Sequence, residues 1–498
     1  MIEVGGPGFG NGFFANGTNG FTIQQLTINR FQDPIRLTNC INSIIRGCWI
    51  GLNNAGTGTS GGFGNNAGIY ITGGNSNSIG GNIVTNPHYK NVVSNCRAGI
   101  EINGSTSNTV LGNYFAVDKT GNTSIQNQFE AVTIIGSSHN TVIGGNNLGD
   151  GNIMGQQQGG NNQCVVYIGG SNNCIVRGNN IGLSFSGTTV FTLPVGGIYL
   201  NNAQNCLIGG TTSDGRNVII TNTASGGYHA ISLQSSSNTN TLYNNFISTN
   251  AIGNNIAAAA KWGGMGINID NSSGNSIGGT GAGQRNVICH TSNSGVKLAS
   301  SSINTSVIGN YIGVTTDNIA KGCGNPGGND GVQVNGVTGT IINNNVIANS
   351  GDNGIDITGS SGGTIIKGNY IGTDINGMTC MSNKLHGIEI NGSNTHIIGG
   401  STVAERNVIS GNGGSGAFSA GLYLSSVSNT IIKGNFIGTD ATGNAVLTGC
   451  TWTMPTTADC AAPGPQGVAR GNEVNGIYFN GGSGNTVGGS LSLSLIHI

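Results

Sequence analysis

Charge is scarce in this chain: only 7% of its 498 residues are Asp, Glu, Lys or Arg, and they nearly cancel to a formal net charge of −1. A protein that holds nucleic acid by its phosphates needs clustered Lys and Arg, so this balance argues against a nucleic-acid partner. Proline is rare as well, at 8, which argues against a Pro-rich disordered chain. No apolar run approaches the ~20 residues of a membrane span, and no charged-then-apolar leader stands at the start. What the chain has is glycine, 92 in all, with short runs of Ile and Val set among Gly, Asn, Ser and Thr. Aliphatics in short runs between turn residues predict short strands.

Three short phrases recur in a fixed order: "GIxI", then "NTIIxG", then "N-x-I". The first aliphatic of the first phrase falls at Ile35, Ile69, Ile100, Val132, Val166, Ile198, Ile231, Ile267, Val296, Val332, Ile355, Ile388, Leu422 and Ile477. Apart from one short interval after Val332 and one long interval before Ile477, these anchors are spaced 29 to 36 residues apart, within the range of solenoid repeats. Each phrase is a strand with period-2 aliphatics, and three such strands cannot bury an apolar face alone, so the coils must stack. Stacking at ~4.8 Å makes three parallel sheets around an aliphatic interior. The expected fold is all-β: a right-handed single-stranded parallel β-helix of about 14 coils, filling residues 1–490 as one domain.

The coils alternate between two kinds. One kind extends after its third strand, as in "TIIKGNFIGTDATGN" from Thr430; the other extends before it, as in "THIIGGSTVAERNVIS" from Thr395. Extensions on one edge would crowd at single-coil spacing, whereas alternation gives each loop two coils, roughly 9.6 Å. Asn113, Asn179, Asn310, Asn369 and Asn435 in one kind match Asn217, Asn286 and Asn407 in the other, which predicts a ladder of buried amides bonded from coil to coil. Asn140, Asn173, Asn205 and Asn429 suggest a second ladder. Asp118, Asp374 and Asp440 read as turn formers, and Arg216, Arg285 and Arg406 as donors to loop carbonyls. Residues 445–472 form a loop insertion in which Cys450 and Cys460 are placed to close "TWTMPTTAD". Cys174 and Cys206, on adjacent coils, either bond or pack as small hydrophobes.

With "GFTIQQLTINRF" (Gly20 to Phe31) followed by "GNYIGTD" and "RNVISGN" coils, the chain resembles the bacterial right-handed parallel β-helix repeat proteins of the pectin-lyase-like superfold. The resemblance implies a large secreted or surface-attached protein, located outside the cell or on a bacterial cell surface. It does not fix function, because the superfold hosts lyases, hydrolases, epimerases, phage tailspikes and adhesins. Residues 491–498, ending in "LSLIHI", look like a sequencing-adapter tail, and the start resembles neither a leader nor a cap. The chain therefore reads as a piece of a longer one.

The outward residue of "GIxI" forms a column: Arg36, Tyr70, Glu101, Thr133, Tyr167, Tyr199, Ser232, Asn268, Lys297, Gln333, Asp356, Glu389, Tyr423 and Tyr478. Tyr70, Tyr167, Tyr199, Tyr423 and Tyr478 offer flat faces for sugar rings, with Gln333 and His386 as further polysaccharide contacts. Asp356 and Glu389 occupy one column on adjacent coils, an arrangement that demands either a shared proton or a cation between them. By the resemblance, Asp330, Asp352, Asp356 and Glu389 would hold calcium for a uronate in a polysaccharide lyase, with Lys297 or Lys384 as base. Alternatively a raised carboxyl pKa would suit glycoside hydrolysis. The regular chain, with few loops to wall a cleft, favours a structural or adhesive rod that contacts polysaccharide or a cell-surface glycan.

Overall fold

The computed structural model describes residues 2–6, 8–59, 64–159, 162–220, 227–254, 264–317, 323–324, 328–413, 419–447, 450, 472 and 474–488. Nearly all of its regular structure is strand, in three parallel sheets of 15 strands each, with every third strand of the chain joining the same sheet. This is a right-handed parallel β-helix, the hand that parallel crossovers adopt. The first sheet gathers the "GIxI" strands, from Asn11–Asn16 to Asn475–Asn480; the second the "NTIIxG" strands, from Thr22–Gln24 to Thr486–Val487; the third the "N-x-I" strands, from Ile2–Gly5 to Phe436–Ile437. The helix has one coil more than the sequence pattern shows. Phe13, in "NGFFAN", pairs with Ile35, so an aromatic stands where every other coil has an aliphatic anchor.

Two compact units divide the chain, Met1–Phe246 and Ile247–Ile498. In the first, the anchors run in register through Ile35, Ile69, Ile100, Val132, Val166, Ile198 and Ile231. In the second, the same register runs from Ile267 through Val296, Val332, Ile355, Ile388 and Leu422 to Ile477. Ile35, Leu37, Ile355 and Ile357 are fully buried, and their strand neighbours Arg36 and Asp356 face outward, as period-2 pleating requires. Each such buried aliphatic is worth about 1.5–3 kcal/mol.

The alternating loops do more than clear one another. Those that follow the third strand close on themselves through antiparallel bridges, Leu52 to Thr59, Val117 to Ser124 and Leu183 to Val190 in the first unit, Thr373 to Cys380 and Thr439 to Val446 in the second. Loops two coils apart then bond: Lys119 N–H donates to Gly56 O at 2.9 Å, Phe185 N–H to Gly121 O at 3.0 Å, and Ala441 N–H to Gly377 O at 2.9 Å. Asp118 and Asp374 cap their loops by accepting backbone N–H groups, Asp374 Oδ1 from Met378 at 2.7 Å. Arg285 and Arg406 donate to Gly309 O and Gly434 O, and their guanidinium groups lie 3.9 Å over the rings of Tyr311 and Phe436. Arg216 Nε donates to the side-chain carbonyl Oδ1 of Asn244 at 3.0 Å, and its guanidinium lies 3.7 Å over Phe246.

The main amide ladder runs through Asn91, Asn113, Asn152, Asn179, Asn217 and Asn245 in the first unit, each Nδ2 donating to the next Oδ1 at 2.8–3.1 Å. In the second unit it runs through Asn286, Asn310, Asn345, Asn369, Asn407 and Asn435. The second ladder is not where the sequence pattern puts it. Asn140, Asn173, Asn205 and Asn429 are left-handed turn residues with φ near 55–60°. The buried ladder position lies elsewhere in the same turn, at Asn77 and Asn108, whose amides bond to each other at 3.1 Å. Cys174 and Cys206 are buried free thiols, and Cys450 bonds Cys380 rather than Cys460, which lies outside the described residues. A second disulfide joins Cys289 and Cys323.

Candidate functional site

In the second unit the first sheet sets Gln333, Asp356, Glu389, Tyr423 and Tyr478 side by side on successive coils. Two further acids and the histidine come from the corners that lead into these strands: Asp330, Asp352 and His386. Asp330 is only 4% exposed, and its Oδ1 accepts from the Asn353 backbone N–H at 3.1 Å and side chain at 3.2 Å. Asn353 Nδ2 also donates to Glu389 Oε2 at 2.9 Å, so one amide ties two carboxyls together. Gln333 Nε2 spans Asp330 at 3.4 Å and Asp356 at 3.5 Å.

Burial pushes the Asp330 carboxyl up to about 8, with the charges of Asp356 and Asp352 adding to the effect. Asp356 rises to about 6 by burial and by the charge of Glu389, and burial raises Asp352 and Glu389 as well. His386 is pulled down to about 4 by burial, and its Nδ1 accepts the Ala420 N–H at 3.0 Å, which leaves the ring proton on Nε2. Near pH 7 Asp330 is therefore mostly protonated and His386 neutral, while Asp356, though raised, is mostly ionised. Among the described residues no three His, Cys, Asp or Glu side chains gather as a metal centre, those of Asp330, Asp352, Asp356 and Glu389 included. Lys297 pairs in register with Gln333, two coils from Asp356, and makes no ion pair among the described residues; Lys384 acts on Asp352, whose carboxyl its charge lowers.

The tyrosines spend their faces on their neighbours. His386 stacks on Tyr423 at 4.6 Å between centroids, and Tyr423 on Tyr478 at 5.4 Å, so both faces of the Tyr423 ring are taken. In the first unit Tyr167 and Tyr199 meet edge to face at 5.5 Å, and the Arg36 guanidinium covers Tyr70 at 4.8 Å. Tyr199 Oη donates to Gln234 at 2.9 Å.

The first unit carries a second cluster on the same sheet face, an open groove of about 540 Å³ that includes Arg36, Tyr70, Glu101 and Tyr167 from the outward column, together with Asp33, Arg97, Phe129 and Glu130. The last four escape a reading of the outward column alone. The signal for two of them lies two residues before each anchor, where Asp33 and Glu130 correspond to Asp330, Asn353 and His386 in the second unit.

No protein-family profile and no curated protein sequence matches the chain. Solved structures do. The A-module of a mannuronan C-5 epimerase from Azotobacter vinelandii is 12% identical over 72% of this chain and 85% of its own, with a TM-score of 0.39. The Dettilon tailspike protein is 14% identical over 69% of this chain and 61% of its own, with a TM-score of 0.34. A DFA-IIIase from Arthrobacter chlorophenolicus is 12% identical over 87% of each chain, with a TM-score of 0.30. What they share with this chain is the coiled architecture. At these identities the likeness stops at the fold.

Proposed function

We propose that this protein contacts polysaccharide through the outward face of its first sheet, as a structural or adhesive component of the extracellular or cell-surface space. The observation that carries this reading is the groove of the first unit, where arginines, carboxyls and the rings of Tyr70, Phe129 and Tyr167 converge in one open depression. Sugar hydroxyls need such directional polar groups, and the rings of Tyr70 and Phe129 carry the Arg36 and Arg97 guanidinium groups that supply them. The disulfides Cys289–Cys323 and Cys380–Cys450 fit an oxidising compartment. The remaining described cysteines are buried, and burial lifts Cys48 to about 11 and Cys96 to about 12, which keeps these thiols unreactive beside the disulfides. No helix among the described residues is long and apolar enough to cross a membrane.

A second reading, cleavage of an acidic polysaccharide, is favoured by one observation: Asp330, raised to about 8, keeps its proton at pH 7 and shares the Gln333 side chain with Asp356, which is raised only to about 6. A carboxyl that keeps its proton at neutral pH is the general acid that glycosidic cleavage needs, with a neighbouring carboxylate as base. The test is a panel of acidic and neutral polysaccharides, scored for retention by the immobilised protein and for new reducing ends or unsaturated products, with and without chelator. Retention without turnover supports the adhesive reading. Turnover that Asp356→Asn abolishes would make the chain an enzyme, and a panel neither retained nor cut would sink both readings.

A further inference from the structure

Cys174 and Cys206 interrupt a column of hydrogen-bonding side chains. In the first unit a buried polar residue stands one step before the strands of the second sheet, at Ser43, Asn77, Asn108, Thr141 and Asn240. These side chains donate to turn carbonyls, Asn108 Nδ2 to Ser105 O at 2.9 Å and Asn240 Nδ2 to Ala203 O at 3.0 Å. Between Thr141 and Asn240 two successive coils carry thiols at this position, and a thiol is a weak donor. Cys174 Sγ stays 3.6–3.8 Å from the carbonyl oxygens of Ser138, Ser171 and Asn172, and Cys206 Sγ 3.5–3.7 Å from those of Gln204 and Ser171. As rungs of a polar column both are poorer than Asn, Ser or Thr. What two thiols on neighbouring coils can do, and those residues cannot, is bond to each other.

The geometry allows it. Ile175 pairs in register with Leu207, so the cysteines just before them stand one coil apart, ~4.8 Å between Cα atoms, inside the roughly 4.4–6.8 Å that a disulfide spans. Both sulfurs reach the same carbonyl oxygen, that of Ser171, at 3.8 Å and 3.7 Å. Neighbouring coils are already bridged this way at Cys289 and Cys323, whose Cα atoms are 4.8 Å apart. The hydrogen bond between the two thiols pulls Cys174 down and pushes Cys206 up, whereas Cys48 and Cys96 are raised chiefly by burial. One member therefore ionises more readily and the other keeps its proton. Each is flanked by an exposed left-handed turn residue, Asn173 or Asn205, so opening of that turn admits a small oxidant.

We propose that Cys174 and Cys206 form a redox-active dithiol, closed by hydrogen peroxide into a disulfide between adjacent coils and reopened by a small thiol. This role is independent of the polysaccharide reading. The Cys174 thiolate attacks one peroxide oxygen and breaks the O–O bond, becoming a sulfenic acid as hydroxide leaves with the proton that the thiol gave up. The Cys206 sulfur then attacks Cys174 Sγ; the S–S bond forms, and the departing hydroxide takes the Cys206 proton as water. Two thiols are oxidised and one peroxide is reduced to two waters. Reopening consumes two molecules of thiol, which leave as their own disulfide.

The experiment treats the full folded chain with hydrogen peroxide, blocks the remaining thiols and maps the disulfides by peptide mass spectrometry. The expected product is Cys174 linked to Cys206, reopened by dithiothreitol, with Cys48 and Cys96 unmodified. Amide protection over Ile175–Val176 and Leu207–Ile208 should be roughly tenfold higher in the closed form. Cys206→Ser, a residue the column already accepts at Ser43, should leave Cys174 as a sulfenic acid that dimedone traps, while Cys174→Ser should give no adduct at Cys206. The linkage is read on the unaltered chain, so a variant that fails to fold does not remove the test. Linkage already present in the chain as isolated, and reopened by thiol without unfolding, supports the pair equally. Both thiols left reduced by peroxide, Cys174 carried to sulfinic acid with Cys206 untouched, or linkage formed only in denaturant would each overturn it.

Discussion

Truncating one rung of the amide ladder tests the account of the fold most directly, and Asn369→Ala is the choice because every bond of that side chain is visible. Asn369 is fully buried. Its Nδ2 donates to Ile342 O at 2.7 Å and to Asn407 Oδ1 at 2.9 Å, while its Oδ1 accepts from Asn345 N at 2.9 Å and from Asn345 Nδ2 at 3.0 Å. Removing the amide strips the Asn345 backbone N–H of its acceptor, a loss of about 1–3 kcal/mol for a buried donor. The other three bonds, at about 0.5–1.5 kcal/mol each, bring the expected destabilisation to about 3 kcal/mol or more. In a solenoid, stability is a sum of local and nearest-neighbour terms, so the effect should concentrate in the coils that carry Asn345, Asn369 and Asn407. Native-state hydrogen exchange read by mass spectrometry resolves this. Peptides covering Val346–Ile347, Tyr370–Ile371 and Val408–Ile409 should lose roughly a hundredfold protection, at about 1.4 kcal/mol per tenfold, while peptides of the first unit keep theirs. A loss no larger than the few tenths of a kcal/mol typical of surface substitutions, or one spread evenly over the chain, would refute the ladder as a source of stability.

The acid cluster predicts a pH dependence of known sign. Asp330 and Asp356 titrate at about 8 and about 6 in the fold, above their ordinary value of 3.8, so the folded state keeps protons that the unfolded chain releases, and stability falls as pH rises through those values. His386, lowered to about 4 from 6.5, acts in the opposite sense but only below pH 6.5; between pH 6.5 and 8.5 thermal unfolding should therefore show a decline that Asp330→Asn flattens, and a slope unchanged by that variant would contradict the assignment. Peptide mapping without reductant should recover Cys380 linked to Cys450, a closure of 70 residues worth about 4 kcal/mol on chain-entropy grounds, and a Cys450–Cys460 linkage would show the pairing to be wrong. Gly182 and Gly392 are both left-handed, at φ 78° and 65°, but a Cβ on Gly182 would fall 1.7 Å from Ile220 O whereas one on Gly392 meets nothing. Gly392→Ala should thus cost only the ~1–2 kcal/mol of left-handed strain and Gly182→Ala distinctly more in denaturant midpoint, and equal costs would discount the close backbone approach.

The parts of this fold that were legible in the sequence are those set by periodicity. Anchors such as Ile69, Ile198 and Leu422 announce themselves because an aliphatic must recur wherever a coil closes on the same interior, and the structure pairs them in that register. The first coil was not legible because Phe13 fills the anchor site with a ring, which breaks the pattern without breaking the stack. Asn140 and Asn173 misled because asparagine serves two ends, tolerating left-handed backbone in a turn as readily as it bonds in a buried ladder, and the letter alone does not say which. Of the site, the column through Asp356 and Glu389 was readable from spacing, and so was its company with Asp330 and His386. The stacking of Tyr423 between His386 and Tyr478 was not, since ring orientation is decided by rotamers that spacing leaves open. Nor was the Asp33 and Arg97 groove, whose two named members stand two and three residues before the anchors Ile35 and Ile100 and so outside the outward column.

Register also explains why Asp356 and Glu389 remain together. Two like charges on ordinary surface strands can part by a slip of one strand against the other, but here Ile355 with Ile388 and Ile357 with Ile390 lock the pairing from within. A one-residue slip would turn those fully buried aliphatics to the outer face and bring the polar residues inward. At roughly 25 cal/mol per Å² of apolar area, that cost far exceeds the repulsion of one carboxylate pair. The charges therefore cannot be relieved by movement. Lys297 stands two coils off in register and Lys384 acts on Asp352, so relief for Asp330 and Asp356 comes from retained protons, which is the direction in which both are shifted. The consequence reaches the surface. With Asp330 mostly neutral at pH 7, the sheet face repels an acidic polymer less than four ionised carboxylates would, and that proton is available to a glycosidic oxygen that comes within reach. Adhesion and cleavage thus begin from the same chemical state of the cluster, and only turnover separates them.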